Sequence, residues 1–212
     1  HTIKGYKMKL LRIEDYHQQD EYWDVEVEDN HNFYANGVLV HNSNMGICYS
    51  NPDGFWVQSR ENIITPESDN AGCDFHAMQN QSAWMDVIER LAKEHNVDLN
   101  TRIITAYAEW CGGNIQKNSA VSGLDKMAII FRHFKVSPLE PSETESAVWY
   151  ETKVAGEWVD NKEARIFNIS NFPTYEIEID FNQPLLSQNK MVDLVENTIE
   201  PNSPVGRQFG VD

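Results

Sequence analysis

Apolar positions along this chain recur in patterns that predict short strands and two helices. Phe33-Tyr34-Ala35 and Val38-Leu39-Val40 flank Asn36-Gly37, a pair that favours the two-residue turn of a β-hairpin. Gly46–Tyr49 and Phe55–Ser59 read as strands joined at Asn51-Pro52-Asp53-Gly54, a run of turn formers. Ala83, Val87, Ile88, Leu91 and Ala92 recur at helical spacing, which predicts an amphipathic helix over Ser82–His95. Thr101–Ala108 and Met127–Phe134 are β-rich runs. Ala147–Thr152, Glu157–Val159 and Ala164–Ile169 predict a meander, and Tyr175–Phe181 alternates. Lys190–Ile199 predicts a short helix that Pro201 stops. Pro138–Ser146 reads as a polar loop, and Lys7–Ile13 alternates ahead of the polar Glu14–Glu21. The pattern predicts a β-rich leading stretch followed by an α+β segment.

Composition narrows the class. A chain of 212 residues fits one domain or two small ones. Its 41% hydrophobic and 11% aromatic content can fill a core and excludes a disordered chain. No apolar run approaches membrane-spanning length and no signal peptide is visible. Cys48, Cys73 and Cys111 show neither paired nor metal-ligand spacing, so a reducing cytoplasm is the simple expectation. The net charge of −16 argues against a broad phosphate-binding surface, unless the basic residues cluster or lie beyond this sequence.

The densest candidate chemistry is His41-Asn42-Ser43, at the end of the hairpin. An asparagine amide nitrogen can attack its own backbone carbonyl, close a succinimide and break the peptide bond that follows. A neighbouring histidine can protonate the leaving nitrogen or polarise the carbonyl. A serine just past that bond can accept an acyl group. His31, ahead of the first strand, is a candidate base for the Ser43 hydroxyl, because imidazole titrates near neutral pH.

In this setting Asp24–Asn42 closely resembles the C-terminal motifs of inteins, the self-splicing Hint-fold elements. VEVEDNHNF resembles the penultimate motif and ANGVLVHN the last, with Ser43 as the first extein residue. Gly5–Asn42 is about the length of the C-terminal piece of a split intein. The resemblance implies the last strands of an all-β Hint fold, catalytic roles for His31, His41, Asn42 and Ser43, and no cofactor for splicing. The first splicing nucleophile and the Thr-x-x-His motif of the N-terminal piece find no match upstream of Asp24. A complementary N-terminal intein piece with its N-extein is therefore the expected partner, and the chain is expected to be a fragment of a longer precursor.

Three features follow in the second segment. Ser43-Asn44 leads into a strand, Ser59-Arg60 follows the next, and Ala108-Glu109-Trp110 ends another ahead of Cys111-Gly112-Gly113. Paired glycines after a carboxylate suggest close approach of a ligand or of another backbone. Each also has an ordinary reading: surface Arg60, a satisfied Glu109, a bulge at Gly112-Gly113. In order, the three resemble the nucleotidyltransferase motifs of polynucleotide ligases, most closely the phage-type RNA ligase 2 family. Ser43-Asn44 matches the end of K-x-[DH]-G-[ST]-N, whose lysine takes AMP from ATP. Arg60 in VQSREN resembles the arginine that acts near the phosphates and the RNA end. Glu109 in AEWCGGNIQKN resembles the glutamate of G-E-x-x-G that contacts the AMP ribose, with Ala108 where the family has glycine. Phe131 in DKMAIIF resembles the aromatic that stacks on adenine. The family's E-G-x-V and K-x-K motifs are not found, so the chain is expected to stop short of them.

The expected organisation is thus residues 1–42, the β-rich C-terminal strands of a Hint fold, then residues 43–212, an α+β nucleotidyltransferase domain of the ATP-dependent ligase kind. The resemblances imply ATP and Mg²⁺ for the ligase part, RNA ends as partners after splicing, no resident metal site and no membrane. They place the protein in the cytoplasm of a bacterial or phage-infected cell, inactive as an isolated chain. Two other classes stand beside this one: a Hint-type autoprocessing element joined to a non-enzymatic binding domain, and a single α+β protein without splicing.

Overall fold

The computed structural model describes residues 32–35, 38–41, 44–59, 62–69, 71–113, 115, 120–140, 145–152, 160–173, 175, 177–178, 180, 182–199 and 204–210. The leading strands β1 (Asn32–Ala35) and β2 (Val38–His41) form an antiparallel pair, with Ala35 facing Val38 and Asn32 facing His41. This is the hairpin that Asn36-Gly37 predicts. The expectations on Lys7–Ile13 and Glu14–Glu21 fall outside the described residues.

The second segment is a mixed α+β fold around one seven-stranded sheet. Its strands are β3 (Asn44–Ser50), β4 (Gly54–Gln58), β5 (Ile63–Ile64), β6 (Arg102–Cys111), β7 (Met127–Pro138), β8 (Val148–Glu151) and β9 (Ile166–Asn168). The order is β5-β4-β3-β6-β7-β8, all antiparallel, with β9 added parallel to β7. β3 and β4 close through the expected turn. The Asp53 amide donates to Ser50 Oγ at 3.1 Å, and Gly54 takes a positive φ of 77°. β6 runs past the β-rich Thr101–Ala108 run, through Glu109 and Trp110 as expected of its end, to Cys111. The last stretch is not the expected meander. β8 is antiparallel to β7 but β9 is parallel to it, because the chain returns to the same strand from the opposite direction. Glu157–Val159 lies outside the described residues. The alternating Tyr175–Phe181 shows no strand at its described positions 175, 177, 178 and 180.

Helices α1 (Cys73–Gln79) and α2 (Gln81–Glu94) pack on one face of the sheet. Trp84, Ile88 and Leu91 of α2 are wholly buried against Met45, Ile47, Ile104, Ala108 and Ile130, and removal of that apolar surface from water is the main stabilising force here. α1 was not expected from the apolar pattern. It begins where the Asp69 carboxylate accepts the Cys73 and Phe75 amides, each at 2.9 Å, satisfying donors that the first helical turn leaves open. A second apolar cluster covers one end of the opposite face. It joins Cys111, Met127 and Ile129 to Phe167, Ile169, Phe172 and Val205. Val205 belongs to α4 (Pro204–Phe209), which follows α3 (Pro184–Leu194). The helix expected at Lys190–Ile199 instead begins at Pro184 and widens into a π turn over Val195–Ile199.

Candidate functional site

Strand register brings two of the expected residues together. Asn44, the first residue of β3, pairs directly with Glu109 of β6, and Glu109 pairs on its other side with Ile129 of β7. Side chains opposite one another in neighbouring strands share a face, with Cβ atoms about 4.5–5.5 Å apart. That face is the one turned away from α1 and α2, because Met45, Ala108 and Trp110, the sequence neighbours of Asn44 and Glu109, point into the helix-side core. Phe131 belongs to the same side, where it packs half-buried against the Cys111–Ile129 cluster. The irregular register at Tyr107, where β7 runs extra residues opposite it, lies directly beside Phe131.

Glu109 is completely buried. Carboxylates are rarely so placed without compensation, and Glu109 is the one carboxylate of β6. Asn44 is half-buried. Its Oδ1 is shielded from solvent and accepts no hydrogen bond among the described residues. The pair thus presents acceptor oxygens in a dry place, a setting that fits hydroxyl or amino donors of a ligand. Cys111, two residues beyond Glu109, is buried beside it. Its thiol is pushed up to about 12, first by burial and then by the negative charge of Glu109, with Arg165 partly opposing. It is a neutral, unreactive thiol there.

The paired glycines have a structural explanation. Gly112 takes φ 97° and Gly113 φ 57°, and a β-carbon on Gly112 would meet the Asp125 carbonyl oxygen. The close approach is therefore to another backbone, one of the two alternatives that the sequence leaves open.

Of the splicing residues, His41 ends β2 opposite Asn32, while His31, Asn42 and Ser43 lie outside the described residues, as does Arg60. Among the described residues no group of three or more His, Cys, Asp and Glu side chains stands together to hold a metal. No helix of the described residues is long and apolar enough to cross a membrane. A cleft of about 140 Å³ between α2 and β9, lined by Asp86, Val87, Arg90, Asp160 and Asn168 among others, lies away from Glu109.

Sequence reasoning missed the aromatic neighbours of this face. Tyr107, two residues before Glu109 on β6, is half-buried and stacks on Trp149 of β8 with ring centroids 5.3 Å apart. The alternation of β6 already put Tyr107 on the Glu109 face. Only the register of β8 brings Trp149 to it. No protein-family profile matches the chain, and no curated protein matches it.

Proposed function

We propose that this chain is part of a protein-splicing precursor, a C-terminal intein segment at residues 1–42 followed by an RNA-ligase-like adenylyltransferase segment that begins at Ser43. The reading rests first on the motif strings of Asp24–Asn42. The observation that carries the ligase half is the pairing of Asn44 with the buried Glu109, with Phe131 on the same side of the sheet. Those residues resemble three separate ligase motifs, and they converge on one face. Their shared face supports the reading.

In this reading the Asn42 side-chain nitrogen attacks the Asn42 carbonyl carbon. A succinimide closes, the bond to Ser43 breaks and Ser43 keeps the freed amine, with His41 supplying the proton. Before that step the Ser43 hydroxyl, with His31 as base, takes the N-extein acyl group from its ester or thioester on the first residue of the N-terminal intein piece, whose side chain leaves. After Asn42 cyclises, the acyl group shifts from the Ser43 oxygen to its freed amine and closes a peptide bond. The joined product has K-x-[DH]-G directly ahead of Ser43-Asn44. Asn44 and Glu109 then hold the nucleoside hydroxyls, Phe131 stacks on the base, and Arg60 faces the phosphates. Bound Mg²⁺ supplies charge neutralisation on the triphosphate.

The test mixes the chain with a complementary N-terminal intein piece whose extein ends in K-x-[DH]-G, using a ligase segment extended through its remaining motifs. Mass spectrometry should find the joined extein and the excised intein pieces. Asn42→Ala should stop succinimide formation and Ser43→Ala should leave only cleavage products. With Mg²⁺ and labelled ATP the joined product should take AMP onto the restored lysine, and Glu109→Ala should impair this strongly. Normal joining by Asn42→Ala sinks the intein reading. A joined product that takes no AMP sinks the ligase reading.

A further inference from the structure

The sheet face that carries Asn44 and Glu109 continues into a row of side chains that the motifs do not account for. Register aligns Trp56 of β4, Cys48 of β3, Thr105 of β6, Lys135 of β7 and Trp149 of β8 across five strands. Cys48 lies four residues beyond Asn44 on β3, so the row runs about 13 Å from the Asn44–Glu109 pair at strand rise. Its middle is small and closed, with Cys48 and Thr105 buried and their Sγ and Oγ1 3.4 Å apart. Both ends are large, but Trp56 is half-buried and only the Trp149 end is open. Trp149 on the edge strand keeps 46% of its surface exposed although it stacks on Tyr107. Trp56, Tyr107 and Trp149 belong to neither apolar cluster. Gly46 makes room for this arrangement. A β-carbon there would stand 3.0 Å from Gln58 Cγ, 3.1 Å from Thr105 Cγ2 and 3.4 Å from Tyr107 Cε1.

The exposed Trp149 indole and the Tyr107 phenol stacked on it have no core to fill at the β8 edge. Lys135 stands in the same row and, among the described residues, no carboxylate pairs with it. His133 adds a second nitrogen base one pair along, opposite Glu151. Aromatic faces beside a cation are what single-stranded nucleic acid requires: rings on which bases stack, and a charge for the phosphate between them. The net charge of −16 disfavours a broad phosphate-binding surface, and this site is local.

We propose that the Lys135–Trp149 end of this row, with Tyr107, is a bed that grips single-stranded RNA and leads it toward the Asn44–Glu109 pair. The choice of RNA rests on the ligase reading above, and the grip itself does not. Two or more nucleotides span the interval from the row to the pair. The bases stack on the Trp149–Tyr107 edge, and Lys135 neutralises one phosphate.

The test titrates the chain with a fluorescein-labelled single-stranded oligoribonucleotide of about 12 nucleotides, reading anisotropy and tryptophan quenching at several salt concentrations. Trp149→Ala should weaken binding by about 5- to 150-fold, the effect of losing one base stack, and Trp149→Phe should restore most of it. Lys135→Gln should lower the slope of log affinity against log salt by about 0.7, the loss of one phosphate contact to a single strand. Circular dichroism would check that each variant folds. Wild-type affinity that Trp149→Ala and Lys135→Gln both leave unchanged overturns the proposal, as does a chain that binds no oligoribonucleotide. Failure of AMP transfer in the joined product, with RNA still held by this row, would overturn the ligase reading alone.

Discussion

Gly112 lies so close to Asp125 that a β-carbon added to it would stand 2.6 Å from the Asp125 carbonyl oxygen. That oxygen is not free to move away, because an Arg165 guanidinium nitrogen donates to it at 2.8 Å. Gly112 also holds φ 97°, outside the reach of ordinary side chains. Gly112→Ala should therefore destabilise the fold by at least about 1–3 kcal/mol. In a chain this long, the thermal midpoint should fall by about 2–4 °C per kcal/mol. An unchanged melting curve would show that the β6–β7 connection yields more easily than its contacts imply.

The three thiols should be silent in the native state. Burial is the first cause in each case, and it raises Cys48 to about 11 and Cys73 and Cys111 to about 12. At pH 8 a thiol reagent should react with them at least roughly 100-fold more slowly than with a free cysteine, from the thiolate fraction alone. Denaturant should release all three. The same shifts fix a pH dependence. A group whose folded value is raised keeps its stabilising effect below the ordinary value of 9.0 and loses it as pH climbs toward 11–12. Chemical denaturation from pH 8 to 11 should show falling stability, and Cys48→Ser should lessen the fall. A flat profile would contradict this.

His76 should set part of the acid limit. Its ring is packed 4.7 Å from Trp110, and its Nε2 lies 2.8 Å from the Ala164 carbonyl oxygen. Burial lowers its pKa, and Arg165 adds to that effect against the Ala164 contact. The neutral tautomer that donates from Nε2 fits this environment. Since the folded value lies below the ordinary 6.5, the stabilisation is present above that pH and is lost as pH falls through the folded value. His76→Gln keeps a donor without the titration. Its stability should change less than that of the wild type from about pH 7 to 5. Parallel curves would remove His76 from the account.

The two histidines of the leading segment should separate by step. His41→Ala should slow C-terminal cleavage at Asn42, and His31→Ala should slow the steps up to acyl transfer onto Ser43. General acid–base assistance is worth about 10²–10⁴-fold in rate. Time courses by gel and mass spectrometry, with the complementary intein piece present, would measure both. Unaltered rates in both variants would reduce the histidines to structural residues of the hairpin.

What the sequence could show depended on how local each cause was. The Asn36-Gly37 hairpin, the Asn51–Gly54 turn and the α2 stripe were legible because their determinants lie within a few residues. Even in α2 the pattern omitted Trp84, which is wholly buried one turn before Ile88. α1 was hidden because its start depends on Asp69, three residues ahead of the Gly72 cap, and its apolar residues are few. The parallel placement of β9 is a pairing between distant segments that no local periodicity encodes. Residue types marked Asn44, Glu109 and Phe131 as candidates by resemblance, but only the register of β3, β6 and β7 sets Asn44 beside Glu109. Tyr107 and Trp149 went unseen for the same reason: their partnership is made by strand order.

β3 is hydrogen-bonded on both sides, to β4 and to β6. A strand held this way surrenders its amide protons only when the whole domain opens, so Met45–Tyr49 should be among the last to exchange. In the splicing reading the bond to be cut, between Asn42 and Ser43, lies one residue ahead of this strand in the sequence. If that reading holds, the folding of the sheet would act as a control on the chemistry at its threshold, since loosening β3 would release the segment that leads from the cut bond.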